Sequence, residues 1–376
     1  MKSIIEPSLT SIEKKYYLDA FKKNQISTYG PYPNKLERRI SQISNSKYNL
    51  ALTSGSVALY LAFKTIGLKK NDMVITTSYT FAATTSAIQH IGSTPLLVDI
   101  SLKTFCIDID QLENYLKTQT IKIKNYTFSK KLKKRIYAIC VVLTFSIIPD
   151  LKRIFKISKK YNLKIVIDGA CALGSFYKQI PLTKLSDIVI YSLNGNKTFT
   201  SGGGGILSTD KKKFYSESKL LASNAKINQK YEYSFPAHNF KITNIHAALG
   251  YGQLTRFKSI IKKKKIIQTN YEKYLKFKRE KFLPKTIFSD HVLWINALIV
   301  DDQKKYTLIK KKLLKIGYKI DMFWKPMHLQ KFSKKFYFLK MKNTNYCWDK
   351  ILTLPSSSNL NQKDQKKIIK SINEIY

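Results

Sequence analysis

Cysteine is scarce and unpatterned in this chain: Cys106, Cys140, Cys171 and Cys347 form no CxxC pair and keep no zinc-like spacing to the five histidines. A disulfide framework and a structural metal are therefore not expected, whereas a reduced, cytoplasmic compartment is. Long apolar runs are missing too. The longest, residues 136–148, spans about 13 positions and is broken by Thr144 and Ser146, short of the roughly 20 that cross a bilayer. The opening Met1-Lys2-Ser3-Ile4-Ile5-Glu6-Pro7 has no apolar core of signal-peptide length. Acidic residues are few, 24 Asp plus Glu against 67 Lys plus Arg, which leaves a formal net charge of +43. Arginine supplies only 6 of those 67 cations.

That charge invites a nucleic-acid reading, because a basic face is how a protein neutralises phosphates and releases counterions. The bias is diffuse, however, with lysines spread from Lys2 to Lys370. Arginine is the residue that reads bases and grips phosphates with a bidentate fork. Nucleic-acid binding and membrane association are therefore not expected, while attraction of small anionic substrates is. The remainder is ordinary globular material, 376 residues with 44% hydrophobic and 12% aromatic side chains. Such a chain is too rich in Ile, Leu, Tyr and Phe for disorder and long enough for two or three domains.

From about residue 46, short β-rich runs alternate with helical stretches. Strands are predicted at 50–53, 73–77, 94–98, 137–143, 164–168, 188–192 and 205–208, and helices at 57–66, 80–91, 111–116 and 150–161. Alternation of this kind predicts an α/β fold with a mostly parallel, doubly wound sheet and function at the carboxyl ends of its strands. The lysine-dense stretch 117–135 reads as an exposed, mobile excursion. One long helix is predicted from Ile242 through about Tyr274. After Pro284, a strand (292–300), a helix (306–316) and a closing helix (364–375) predict a smaller α+β domain. The expected division is an N-terminal segment 1–45 wrapping one of the two domains, a large domain 46–250, and a linking helix with a small C-terminal domain, 251–376.

Three segments carry chemistry. In Thr53-Ser54-Gly55-Ser56-Val57-Ala58-Leu59 a strand ends in small residues and a helix begins at once. Backbone N–H groups there could meet a phosphate, although a serine helix cap explains the same pattern. In Ile165-Val166-Ile167-Asp168-Gly169-Ala170 an acid ends an apolar strand, where it could hold a metal, cap the next helix or pair with a protonated ring nitrogen. In Ile188-Val189-Ile190-Tyr191-Ser192-Leu193-Asn194-Gly195-Asn196-Lys197 a lysine stands just past a buried strand, and Gly202 to Gly205 follow. A desolvated lysine can lose its proton and form a Schiff base. The glycine run lacks the GK[ST] ending of a phosphate-binding Walker loop. As a set, the three match the needs of pyridoxal 5′-phosphate: an anion site, an acid for the ring nitrogen and a lysine for the aldehyde.

At this point the sequence closely resembles the DegT/DnrJ-type sugar aminotransferases, fold-type I pyridoxal-phosphate enzymes acting on nucleotide-linked keto-sugars. Residues 30–36 resemble the family's entry motif, and Ser54-Gly55-Ser56-Val57-Ala58-Leu59 its SGTxAL turn. Ser78-Tyr79-Thr80-Phe81-Ala82-Ala83-Thr84 is similar to TFxAT, and Asp168-Gly169-Ala170-Cys171-Ala172-Leu173-Gly174-Ser175 to DAAxALGS. Residues 191–205 resemble the SFNGNK…GGGG stretch, and His238-Asn239-Phe240-Lys241-Ile242-Thr243 resembles NYRMT. Phe323-Trp324-Lys325-Pro326-Met327-His328-Leu329-Gln330 and Leu354-Pro355-Ser356-Ser357 are similar to WKPMHLQ and LPSS.

The resemblance implies roles position by position. Lys197 would form the Schiff base and shuttle the proton, and Asp168 would pair with the pyridinium. Gly55 and Ser56 would give N–H groups to the phosphate, helped by Ser192, with Asn194 a further cofactor contact. Phe81 would stack on the ring, and Asn239 would reach the phosphate of the other subunit, which implies a homodimer. Trp324, Lys325 and His328 would face the sugar nucleotide, although His328 fits a packing role as well. The implied reaction is ping-pong amino transfer from an amino acid, L-glutamate, to a keto group, C4, of a nucleotide-linked deoxysugar. Sugar dehydratases on this scaffold carry His where Lys197 stands, which argues against that alternative. A non-catalytic scaffold binding nucleic acid through its basic surface is the other.

Departures fall elsewhere. Leu143 and Ser146 replace a common His and Gly, Cys171 stands where Gln or Glu is usual, Lys241 replaces an Arg, and Asp321 lies where Arg-Pro often precedes the Trp. These put the substrate side, not the cofactor side, in question.

Overall fold

In the computed structural model, residues 1–228, 230–276, 282–290, 292–320 and 322–376 are described. Asp321 therefore lies outside the described residues.

Apolar β-branched runs set the scaffold. Along Lys164–Asp168, Ile165 and Ile167 point to one core and Val166 to another, the period-2 alternation of a strand covered on both faces. The sheet runs in the order Tyr337–Phe338, Thr94–Val98, Met73–Thr77, Arg135–Val142, Lys164–Asp168, Ile188–Ser192, Gly205–Thr209, Tyr48–Leu52. The pairs from Tyr337–Phe338 through Ile188–Ser192 are parallel, and Gly205–Thr209 runs antiparallel to both of its neighbours. The expected mostly parallel α/β sheet is what forms.

A further core gathers Ile267, Tyr271, Trp294, Leu298, Ile309, Ile351 and Ile368, where Asn296–Ile299 pairs antiparallel with Ile351–Leu354. The helices Gln303–Lys315 and Gln362–Asn373 close it, capped by the Asp302 carboxylate and the Asn361 side-chain Oδ1.

Three expectations need correction. The stretch 117–135 is not a loose excursion: Thr120–Ile123 and Tyr126–Ser129 form a hairpin, and Tyr126–Ser129 pairs with Arg135–Val142. Its lysines take the solvent side while Thr127 and Ser129 are buried, so charge density masked a strand alternation. The single helix from Ile242 is two, Asn244–Thr255 and Phe257–Tyr274, meeting at Arg256. The Arg256 guanidinium pairs with Glu13, 2.6 Å away, and donates to the Ser8 carbonyl, contacts that tie this junction to the start of the chain. Finally, the first 45 residues engage both parts instead of one. Ala20, Tyr32, Leu36 and Ile40 join the sheet's core, Ile4 and Ile5 join the other, and Lys2–Ser3 pairs with Tyr318–Lys319.

Among the described residues no helix is long and apolar enough to cross a membrane, and no cluster of His, Cys, Asp and Glu could hold a metal.

Candidate active site

A cavity of about 270 Å³ opens at the carboxyl ends of the parallel strands. Size alone does not mark a site: a groove of about 750 Å³ between Phe257–Tyr274 and Gln362–Asn373 is lined by Lys276, Lys366, Lys370, Glu374 and several Gln and Asn side chains, with Tyr274 and Ile369, and gathers none of the strand-end residues. The smaller cavity is where the strand-end residues meet.

Tyr48–Leu52 delivers the chain to Ser54, whose extended backbone and hydroxyl cap the helix Gly55–Thr65 by accepting from the Val57 N–H at 3.2 Å. The first N–H groups of a helix have no partner in its own ladder, so Gly55 and Ser56 offer donors and the positive dipole end to the cavity. Ser192 closes the other side; a Cβ at Gly55 would stand 3.0 Å from the Ser192 Cβ. A Cβ at Gly205 would stand 2.1 Å from the Ser54 carbonyl, so the last glycine of the run lets its strand pass beneath this turn.

Asp168 ends its strand buried. Thr84 Oγ1 donates to its Oδ2 at 2.6 Å and the Ala170 N–H to its Oδ1 at 3.2 Å. Burial pushes the carboxyl pKa up, against the pull of Thr84, Ala170 and the Lys197 charge. Among the described residues no cation pairs with it directly, so this carboxyl suits a ligand that brings its own cationic N–H.

Lys197 follows a tight turn after Ile188–Ser192: Asn194 Oδ1 accepts from the Gly195 N–H at 2.8 Å, and the Asn194 carbonyl from the Lys197 N–H at 3.0 Å. Its Nζ donates to Cys171 Sγ at 3.3 Å and lies 4.6 Å from the Trp294 ring centroid. Trp294 is fixed in turn by its indole N–H on the Asn196 carbonyl, at 2.8 Å.

The opposite wall is aromatic. Phe145 stacks on Trp324 at 5.8 Å and 7°, and Trp294 stacks on Trp324 at 6.0 Å and 16°. The Tyr79 hydroxyl donates to the Phe323 carbonyl. Phe145 and Ser146 hold φ of 55° and 69°, left-handed backbone that costs non-glycine residues about 1–2 kcal/mol each. Ser146 Oγ offsets part of this by donating to the Cys171 carbonyl at 2.6 Å. Thr144, between Leu143 and Phe145, lines the cavity with a buried hydroxyl that has no partner among the described residues.

The cavity thus brings together Gly55, Ser56, Phe81, Asp168, Ser192, Asn194, Lys197 and Trp324. Phe81 is 60% exposed, an aromatic face left open to a ligand. Three expected residues lie outside this cavity. Asn239 is exposed and bridges to Ser223, Lys325 is exposed, and His328 is pinned between Ser78 Oγ on Nδ1 (2.6 Å) and Asn345 Oδ1 on Nε2 (2.8 Å). Burial pushes the His328 pKa down. Lys241 lines a separate cavity beside Glu37. Sequence reasoning missed Thr84, Thr144, Phe145 and Trp294. Thr84 alone left a signal, as the last residue of the TFxAT-like segment.

Comparison with known proteins follows the same lines. A sequence profile of the DegT/DnrJ/EryC1/StrS aminotransferase family matches residues 7–373. GDP-perosamine synthase of Escherichia coli O157:H7 is 28% identical, over 99% of this chain and 98% of that protein. The UDP-4-amino-4,6-dideoxy-N-acetyl-beta-L-altrosamine transaminase of Campylobacter jejuni is 26% identical, over 92% of this chain and 89% of its own. The structure of Spr1654 from Streptococcus pneumoniae, solved in a PMP form, superposes with a TM-score of 0.87 at 26% identity, covering 99% of this chain and 98% of that one.

Proposed function

Because the chain belongs to the DegT/DnrJ/EryC1/StrS aminotransferase family, we propose that it uses pyridoxal 5′-phosphate to move an amino group from an amino acid, L-glutamate, to the C4 keto group of a nucleotide-linked deoxysugar. One observation carries the reading: an anion-ready helix start, a buried strand-end carboxyl and a lysine amine converge on one cavity. That donor set fits the cofactor's phosphate, ring nitrogen and aldehyde in turn. The relatives named for GDP- and UDP-sugar products support the acceptor class.

When bound, the cofactor supplies an electron sink for the carbon that gains or loses the amino group. Gly55 and Ser56 would bind its phosphate through backbone N–H groups, with the Ser192 hydroxyl and Asn194 beside them. Asp168 would hold the ring N–H proton, its geometry set by Thr84. Phe81 would cover the ring face and exclude water. Lys197 Nζ would carry the proton during transfer, at a point where Trp294 and Cys171 hold it. Trp324 would form the sugar side of the cavity, with Lys325 nearer solvent and suited to the nucleotide phosphates. For His328 the saturated ring favours a structural role. We further propose a homodimer, in which the exposed Asn239 would serve a partner's site.

The test is product analysis. Protein supplied with pyridoxal 5′-phosphate, L-glutamate and GDP- or UDP-linked 4-keto-6-deoxysugars should yield 2-oxoglutarate and a 4-amino sugar by mass spectrometry. Keto-sugar consumption without 2-oxoglutarate would point to dehydration instead, and no turnover of any acceptor would remove the sugar reading.

A further inference from the structure

The function proposed above leaves open what the Cys171 thiol contributes beyond contact, yet its sulfur accepts a hydrogen bond from the reactive amine. Lys197 Nζ donates to Cys171 Sγ at 3.3 Å and faces the Trp294 ring at 4.6 Å. Among the described residues no carboxylate pairs with this amine. The sulfur is well anchored. The Ala172 N–H donates to the Gly169 carbonyl at 2.8 Å, and Ser146 Oγ donates to the Cys171 carbonyl at 2.6 Å. Burial pushes the thiol pKa up even with Lys197 beside it, so at neutral pH the group is an uncharged S–H. Asp168 from the adjoining strand and Lys264 from Phe257–Tyr274 are the other charged groups acting on this thiol.

A carboxylate in the sulfur's place would pair with the lysine and hold its proton. A thiol accepts the N–H from the same distance and adds no charge. We propose that Cys171 is a positioning residue, whose thiol holds the Lys197 nitrogen in the cavity while leaving its proton free to depart, so that the amine stays available to a carbonyl. This rests on the reading of Lys197 as the cofactor lysine, and its test has two arms.

The first arm needs no cofactor. Cys171 is alkylated with iodoacetamide in wild-type protein and in Lys197→Met, and the modified peptide is followed by mass spectrometry. Because an adjacent ammonium favours the thiolate, the variant should react about threefold more slowly or less. Equal rates overturn the contact.

The second arm follows capture of pyridoxal 5′-phosphate on Lys197 by borohydride across pH. Cys171→Ala should slow capture about tenfold through lost positioning, and Cys171→Ser should restore it to within about threefold. Cys171→Asp should raise the pH midpoint of capture by about one to three units. Wild-type rates and midpoint in all three overturn the proposal. If Cys171→Ala does not fold, the Ser and Asp variants decide the case. If the wild type captures nothing at any pH although the alkylation rates differ, the cofactor reading fails and takes the role of the thiol with it, leaving only the contact.

Discussion

The two walls of the cavity are built differently. One is polar and fastened to the sheet: Gly55 and Ser56 follow Tyr48–Leu52, Asp168 ends Lys164–Asp168, and Ser192 ends Ile188–Ser192. The other is aromatic and loop-borne, with Phe145, Trp294 and Trp324 stacked on one another and Phe145 packed into the second core. Gly55, Asp168 and Ser192 of the first wall match the family's motifs, whereas two departures line the cavity, Cys171 just past Asp168 and Leu143 next to the aromatic side. The contrast separates two ways of holding a cavity wall in place. Hydrogen-bonded strand ends fix a few polar atoms, whereas stacked rings fix a shape that other side chains can reproduce.

The comparison is broken most severely on the polar wall. Asp168→Asn keeps the shape but removes the charge and leaves a single acceptor oxygen where Thr84 and the Ala170 N–H each had one, and amino transfer should fall by about 10²–10³-fold, measured as steady-state turnover with L-glutamate. The next effect lies behind the cavity. Lys264 is buried with its Nζ on the Ser356 carbonyl, and burial depresses its pKa from 10.5 to about 7. Folding therefore releases a proton between about pH 7 and 10.5, so this group's penalty is full below pH 7 and fades as pH rises. Lys264→Met should remove a slope of about 1.4 kcal/mol per pH unit across that window, read from denaturant melts at pH 7 and 9.5.

Smaller effects belong to the aromatic wall. Ser146→Ala loses the bond to Cys171 and keeps the left-handed strain, for a cost of about 1 kcal/mol. Ser146→Gly loses the same bond but regains about as much in backbone freedom, and should sit within about 0.5 kcal/mol of wild type. Urea melts of the pair separate the two terms. Thr144→Val removes a buried hydroxyl with no partner among the described residues, and should stabilise the ligand-free protein by less than about 1 kcal/mol.

What could be read from the sequence follows the same division. Asp168, Ser192 and Lys197 stood out because each interrupts or follows an apolar run, and a polar residue at a strand end is visible without a fold. Trp294 and Phe145 were not visible. They lie 149 positions apart and meet only through tertiary packing, and a lone aromatic in sequence signals nothing but core. The break at Arg256 was hidden for a similar reason, since neither Pro nor Gly stands there and the partners of its guanidinium, Glu13 and Ser8, lie at the far end of the chain. The hairpin inside 117–135 was lost because its lysines dominate a weak alternation. His328 shows the converse: a family-like histidine whose partners, Ser78 and Asn345, are distant in sequence.

In the function proposed here, the polar wall seats pyridoxal 5′-phosphate on Lys197. The most direct measurement is the visible absorption spectrum of the protein with added cofactor, before and after L-glutamate, beside Lys197→Ala. The wild type should show a visible band that L-glutamate bleaches and that the variant does not form. No band in the wild type at saturating cofactor, or an identical band in Lys197→Ala, would contradict it.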